Sequence, residues 1–152
     1  MEFSVLDRFW AERLARLERR CFSVPWTKGM FREELENPSA RLWGCVEEGE
    51  LLGYLGLQWV LDQGEILSVA VDPSCRRRGI ARRLLALALE ECERRALLSL
   101  SLEVRQSNEA ARALYRGFGF ETVGRRKNYY TLPREDAILM TRKLREDEDT
   151  GH

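Results

Sequence analysis

Chemistry in this chain gathers at a few places, the most conspicuous being the run Arg76-Arg77-Arg78-Gly79-Ile80-Ala81. It follows the apolar segment Leu67 to Val71 and the pair Asp72-Pro73, and it opens a Leu/Ala-rich stretch that continues to Glu90. Pro73 fixes φ and has no N–H for a ladder, so a strand stops there and a helix starts after the glycine. Backbone N–H groups, a permissive residue and positive charge then meet at a helix N-terminus, which suits a pyrophosphate. The run lacks the Lys-Ser/Thr of a P-loop and the three glycines of a dinucleotide fingerprint, so by itself it serves a nucleotide or a coenzyme.

Glu103 is the acid that stands out. It interrupts the apolar strand Leu100-Ser101-Leu102-Glu103-Val104 and by alternation points away from Leu102 and Val104. Such a carboxylate can act as a general base or join a surface ion pair. Tyr115 lies beside Ala111, Leu114 and Phe118, which look like the packing face of a helix, and on the residues alone it reads as core. Asn108 and Ser107 compete to cap that helix. Tyr129-Tyr130 could grip a peptide backbone through their hydroxyls, or close a sheet edge as an aromatic cluster. Cys21, Cys45, Cys75 and Cys92 are widely spaced, with His152 the only histidine, which argues for reduced thiols and against zinc.

The elements that must position these residues follow from periodicity. Glu2 to Val5 is a short strand, and Leu6, Trp10, Leu14, Leu17 and Cys21 recur at helical spacing after Asp7. Pro25 breaks the pattern, Thr27 caps a second helix with Met30, Phe31 and Leu35, and Asn37-Pro38 ends it. Strands follow at Leu42 to Val46, Leu51 to Val60 and Glu65 to Val71, joined by turns at Glu48-Gly49-Glu50 and at Asp62 to Gly64. The apolar character of Leu67 to Val71 predicts a strand covered on both faces. A long helix to about Arg95 leads to a strand at Leu98 to Val104, a helix at Asn108 to Phe118, and strands at Thr122 to Tyr130 and Ala137 to Leu144. The order is βααβββαβαββ in a single domain, residues 1–145, with 146–152 an acidic, frayed tail.

Several segments together, in this order, resemble the GNAT superfamily of acyl-CoA-dependent N-acetyltransferases over almost the full length. They are VPWT at 24–27, SVAVDPSCRRRGIARRLL at 68–85, LEVRQSNEAARALYRGFGF at 102–120, RKNYY at 126–130 and REDAILM at 134–140. Within that superfamily the likeness is to the RimI group, bacterial enzymes that acetylate the N-terminal alanine of a small-subunit ribosomal protein. The resemblance implies an α/β (α+β) GNAT fold, a mixed central sheet of about seven strands flanked by four helices. It implies acetyl-CoA as co-substrate, no metal, and direct transfer through a ternary complex. Arg76, Gly79 and Ala81 match the superfamily's Gln/Arg-x-x-Gly-x-Gly/Ala loop, so the backbone around Arg77, Arg78, Gly79, Ile80, Ala81 and Arg82 would cradle the pyrophosphate. By the same likeness Val69, Ala70 and Val71 would hold the pantetheine arm, with Asn108 hydrogen-bonded to it. Glu103 would be the general base, working through water, and Tyr115 the general acid for the departing thiolate. Pro25, Trp26, Tyr129 and Tyr130 would flank the acceptor peptide. Cys75 lies in the cofactor loop, but no histidine is at hand to activate it as a nucleophile.

Composition limits the alternatives. The chain has 152 residues, 44% of them hydrophobic, and zero formal net charge. Neutrality gives no general case for nucleic-acid binding, which wants a basic excess along one face. No run reaches the roughly 18 apolar residues of a membrane span, and MEFSVLDRFW does not read as a signal peptide. The expectation is a soluble cytoplasmic monomer or weak dimer whose partner is a protein N-terminus. A broader N-terminal or small-amine acetyltransferase, or an acyl-CoA-binding module without turnover, is the alternative. Glu103 and Tyr115 occurring together weigh against the last of these.

Overall fold

In a computed structural model of the chain, residues 1–145 are described, so the stretch read as a frayed tail lies outside the described residues. The elements are β1 (Glu2–Val5), α1 (Ala11–Cys21), α2 (Lys28–Glu36), β2 (Ala40–Glu47), β3 (Glu50–Val60), β4 (Gln63–Val71), α3 (Ile80–Arg94), β5 (Ser99–Arg105), α4 (Glu109–Gly117), β6 (Glu121–Thr131) and β7 (Arg134–Lys143). The order βααβββαβαββ is as expected. The sheet runs β1-β2-β3-β4-β5-β7-β6. It is mixed: β4 and β5 are parallel, as the crossover through α3 requires, while β1/β2, β2/β3, β5/β7 and β6/β7 are antiparallel. The chain divides into two compact units, one of Met1–Gln58 and Leu67–Glu91, the other of Trp59–Ile66 and Cys92 onward.

In the first unit, one turn of 3-10 helix at Arg8–Trp10 precedes α1, with the Asp7 carboxylate accepting the Phe9 N–H at 3.0 Å. Thr27 caps α2 by accepting the Met30 N–H at 3.2 Å, and the helix ends before Pro38. Glu48 and Gly49 both take positive φ, 51° and 79°, the geometry that lets a two-residue turn join β2 to β3. Leu14, Leu17, Phe31, Leu42, Leu51 and Tyr54 fill the core of this unit. Each aliphatic side chain so buried contributes about 1.5–3 kcal/mol against the unfolded chain.

In the second unit β5 alternates strictly. Leu100, Leu102 and Val104 are buried, while Ser99, Ser101, Glu103 and Arg105 are half-exposed. Phe120, Ala137, Ile138 and Met140 complete this core. β6 and β7 join through Leu132-Pro133, and the register of their pairing shifts between Arg126 and Tyr130.

One expectation is corrected. Within Leu67–Val71 only Ala70 is buried, and the other four residues are half-exposed. β4 keeps the period of a strand packed on one face, with Gly64, Ile66 and Ala70 inward. Leu67, Val69 and Val71, although apolar, are only partly covered. Among the described residues no helix is long and apolar enough to cross a membrane, and no group of three His, Cys, Asp or Glu side chains could hold a metal ion. None of the four cysteines is in a disulfide.

Candidate active site

The first unit carries the basic turn. Asp72 ends the strand and accepts from the Ser74 N–H at 3.0 Å and the Ser74 hydroxyl at 2.8 Å, starting a 3-10 turn over Pro73–Cys75. These bonds, with Arg20 at 2.8 Å, hold the Asp72 carboxyl below the ordinary carboxylate range. Arg77 and Gly79 then both adopt left-handed backbone, φ 68° and 78°. A side chain at Gly79 would meet nothing within 4 Å, so the glycine is required by its φ and not by crowding from the protein. The first hydrogen bond of α3 runs from the Arg83 N–H to the Gly79 carbonyl at 3.1 Å. The N–H groups of Ile80, Ala81 and Arg82 therefore head the helix with no intrahelical acceptor, and they fit a phosphate group. Arg76, Arg77 and Arg82 are exposed. Arg78 is committed elsewhere: its guanidinium is paired with Glu47 at 2.9 Å, so this loop offers a phosphate its backbone more than that side chain.

Pro25 and Trp26, in the link from α1 to α2, are half-buried and fastened from below. Glu18 of α1, 4% exposed, accepts the Trp26 N–H at 3.3 Å and the Tyr54 hydroxyl at 2.6 Å. Burial pushes the Glu18 carboxyl up, and the bonds from Tyr54 and Trp26 partly offset it. The Trp26 ring packs on Phe31 at 5.4 Å, beside a small cleft lined by Phe31, Glu34, Tyr54, Leu67 and Ser68.

The second unit gathers the other candidates on one sheet face. Register places Glu103 opposite Leu139 and Arg126 opposite Ala137, so Arg126 of β6 reaches over β7 to Glu103 of β5, Nε to Oε1 at 3.3 Å. Tyr129 also hydrogen-bonds the Glu103 carboxylate, and its phenol is raised by that charge first, then by burial and by the bond itself. Tyr130 is pushed up to about 12, by burial first and then by Glu103. The two rings meet edge to face at 5.1 Å, and the Arg105 guanidinium lies 4.3 Å from the centre of the Tyr130 ring. Arg105 in turn grips the hairpin turn, reaching the Pro133 carbonyl at 2.9 Å and Glu135 at 3.2 Å. Thus Glu103, Tyr129 and Tyr130 come together around one carboxylate.

Tyr115 is the buried residue of α4, 8% exposed and packed on Phe120 at 5.8 Å. Ala111, Leu114 and Phe118 are half-buried on the same side of the helix, so Tyr115 is the most covered residue of the expected packing face; Gly119, at φ 88°, follows the helix and leads into Phe120. Burial, then Tyr130, raises the Tyr115 phenol to about 12. Between Asn108 and Ser107 the cap goes to Asn108, whose side-chain oxygen accepts the Ala111 N–H at 3.1 Å, while the Ser107 hydroxyl donates to Glu135 at 3.0 Å.

Three further residues were not singled out by sequence. Glu18 lies at i+4 from Leu14 on the apolar stripe of α1, a signal that was there to read. Glu65 of β4 pairs with Ser101 in parallel register and so shares the face of Glu103. Burial, then the charge of Glu103, raises its carboxyl, and Arg126 lowers it. Arg126 opens the RKNYY segment, but nothing in that segment pointed to its contact with Glu103.

The chain belongs to the acetyltransferase (GNAT) family, whose model matches residues 11–120. It is similar to the [ribosomal protein bS18]-alanine N-acetyltransferase of Escherichia coli (strain K12), 38% identical over 128 residues, which cover 82% of this chain and 84% of that protein. A putative [ribosomal protein bS18]-alanine N-acetyltransferase of Bacillus subtilis (strain 168) is 40% identical over 130 residues, 85% of this chain and 86% of the relative. The crystal structure of the ribosomal-protein-S18-alanine N-acetyltransferase from Escherichia coli superposes with a TM-score of 0.89 at 32% identity, covering 99% of this chain and 98% of that one.

Proposed function

We propose that this chain is an acetyl-CoA-dependent Nα-acetyltransferase that modifies the N-terminal amine, with alanine first, of a small-subunit ribosomal protein in the cytoplasm. Acetyl-CoA supplies an activated acetyl thioester. The backbone N–H groups of Arg77 to Arg82 take its pyrophosphate, the half-open backbone of Val69 to Val71 takes its pantetheine arm, and Asn108 assists. The observation that carries the reading is Glu103, a half-exposed carboxylate ringed by Arg126, Tyr129 and Tyr130 on a polar sheet face.

Only a neutral amine attacks a thioester, and an α-amine with a pKa near ~8 is already about a tenth neutral at pH 7, against under ~0.1% for lysine. A carboxylate working through water is base enough for that substrate: Glu103 takes the proton as the N–C bond forms and the C–S bond breaks. Tyr115 steadies the departing sulfur. With its phenol near 12, complete proton transfer to a thiolate of ordinary pKa near ~8.5 is uphill by roughly 5 kcal/mol. Tyr115 therefore acts by donating a hydrogen bond while keeping its proton. Pro25, Trp26, Tyr129 and Tyr130 position the acceptor.

The test compares peptides beginning Ala-Arg with the same peptides blocked at the α-amine but carrying lysine, read by mass spectrometry. Acetylation of the free α-amine is expected. Preference for the blocked lysine peptide overturns the N-terminal reading.

A further inference from the structure

We propose that Arg126 is a tethered cation that holds the acceptor's place on Glu103, and that Glu65 receives it when the acceptor's ammonium arrives, so that these side chains select for a free, charged amine. The inference rests on the reading of Glu103 as the acceptor's carboxylate.

Three observations carry it. The first is direction. The Arg126 side chain is 57% exposed and that of Glu103 24%, so the guanidinium comes in from solvent, across β7, to a carboxylate set deeper in the sheet. An ion pair this open is weak and exchangeable. The second is construction. The register of β6 slips just after Arg126, and Asn128 sits at φ 53° with its N–H bonded to Asp136 at 2.8 Å. Beyond this irregularity Tyr129 turns back to the same carboxylate, with its ring centre 5.6 Å from the Arg126 guanidinium.

The third is charge. Glu65 and Glu103 share one face of adjacent parallel strands, and each feels the single guanidinium of Arg126. Two carboxylates and one guanidinium leave one negative charge. Of the nearby arginines, Arg105 is taken by Glu135 at 3.2 Å and Arg125 by Asp136 at 3.5 Å. The set is one cation short, and an incoming ammonium supplies it. Arg126 moves to Glu65 as the ammonium takes Glu103, one cation replacing another on the carboxylate. The bound ammonium gives one proton to solvent, and Glu103, now beside the neutral amine, takes the second through water as the N–C bond forms. A blocked N-terminus brings no charge and cannot make the exchange.

The experiment titrates two peptides into enzyme loaded with CoA, which allows no turnover. One begins with alanine followed by neutral residues, and the other is the same peptide with its α-amine acetylated. Wild-type enzyme is expected to prefer the free amine. Arg126→Ala should tighten the free-amine peptide about two- to five-fold, the range of an exposed ion pair, and leave the blocked peptide unchanged. Glu65→Gln should weaken the free-amine peptide by a similar factor, again sparing the blocked one. Unchanged or weaker free-amine binding in Arg126→Ala, or an equal change for both peptides, overturns the handover. If α-amine acetylation is intact by mass spectrometry in that case, the handover alone falls. If no α-amine is acetylated by wild-type enzyme, the reading of Glu103 falls and takes the handover with it.

Discussion

Replacing Tyr115 by Phe removes one hydroxyl from a ring that is 8% exposed and packed at 5.8 Å on Phe120, and it leaves that packing in place. The role proposed for the hydroxyl is a hydrogen bond to sulfur that strengthens as negative charge builds there. A hydrogen bond to a charged group is worth about 1.5–3 kcal/mol, which at one decade per ~1.36 kcal/mol is a fall of roughly 10- to 150-fold in kcat. Acetyl-CoA affinity should stay within a factor of about two, since the bond gains its strength in the transition state. Because burial holds the phenol near 12, it stays protonated, and kcat should show no descending limb from this group up to about pH 10. The assay follows free CoA thiol continuously with a chromogenic disulfide, with calorimetry for the cofactor. Undiminished kcat in Tyr115→Phe would remove the residue from the mechanism. A wild-type basic limb below about pH 10 that vanishes in the variant would refute the raised phenol and restore full proton transfer.

Two further outcomes follow from local geometry. Gly79 is left-handed in open space, so Gly79→Asn should be tolerated better than Gly79→Val. The valine variant should lose about five- to thirty-fold in acetyl-CoA affinity by calorimetry, the left-handed conformation costing roughly 1–2 kcal/mol before the phosphate is even reached. Retained affinity in Gly79→Val would sink the cradle. Glu18→Ala strands the Tyr54 hydroxyl and the Trp26 N–H and should cost about 1–3 kcal/mol in urea denaturation. Burial raises the Glu18 carboxyl, so its stabilisation is fullest below the unfolded carboxylate value and is lost as pH rises through the folded one. The advantage of wild type over Glu18→Gln should therefore be greatest in acid and shrink as pH rises above the ordinary carboxylate range. An advantage that grows instead would mean that the charged form is the one preferred in the fold.

Much of the site could be read from period and residue type. Glu103 breaks an alternation, and the alternation held residue by residue along β5. Gly79 follows three arginines where a strand gives way to a helix, and the left-handed φ there is the reason for a glycine. Tyr115 was harder. The apolar stripe of a nine-residue helix is broad, and which part is covered depends on where Phe120 lands after the turn. Arg126 was harder still, because its contact with Glu103 spans an intervening strand that comes later in sequence than either residue. Strand order and a register slip, neither of them a local property, decide that meeting. Glu18 was overlooked for another reason: a glutamate on an apolar stripe looks like an error in the pattern until its two donors are found.

The basic turn is held before any phosphate arrives. Arg20 fixes Asp72, Asp72 fixes Ser74, and Glu47 fixes Arg78, while the left-handed residues Arg77 and Gly79 set the path between strand and helix. The conformational entropy of this loop is thus surrendered when the chain folds, and little is left to surrender at binding. On the proposed reading, a cofactor meeting such a loop has little chain to order. Its capture can then be as quick as diffusion and orientation permit, with residence time left to the number of hydrogen bonds that must break together for it to leave.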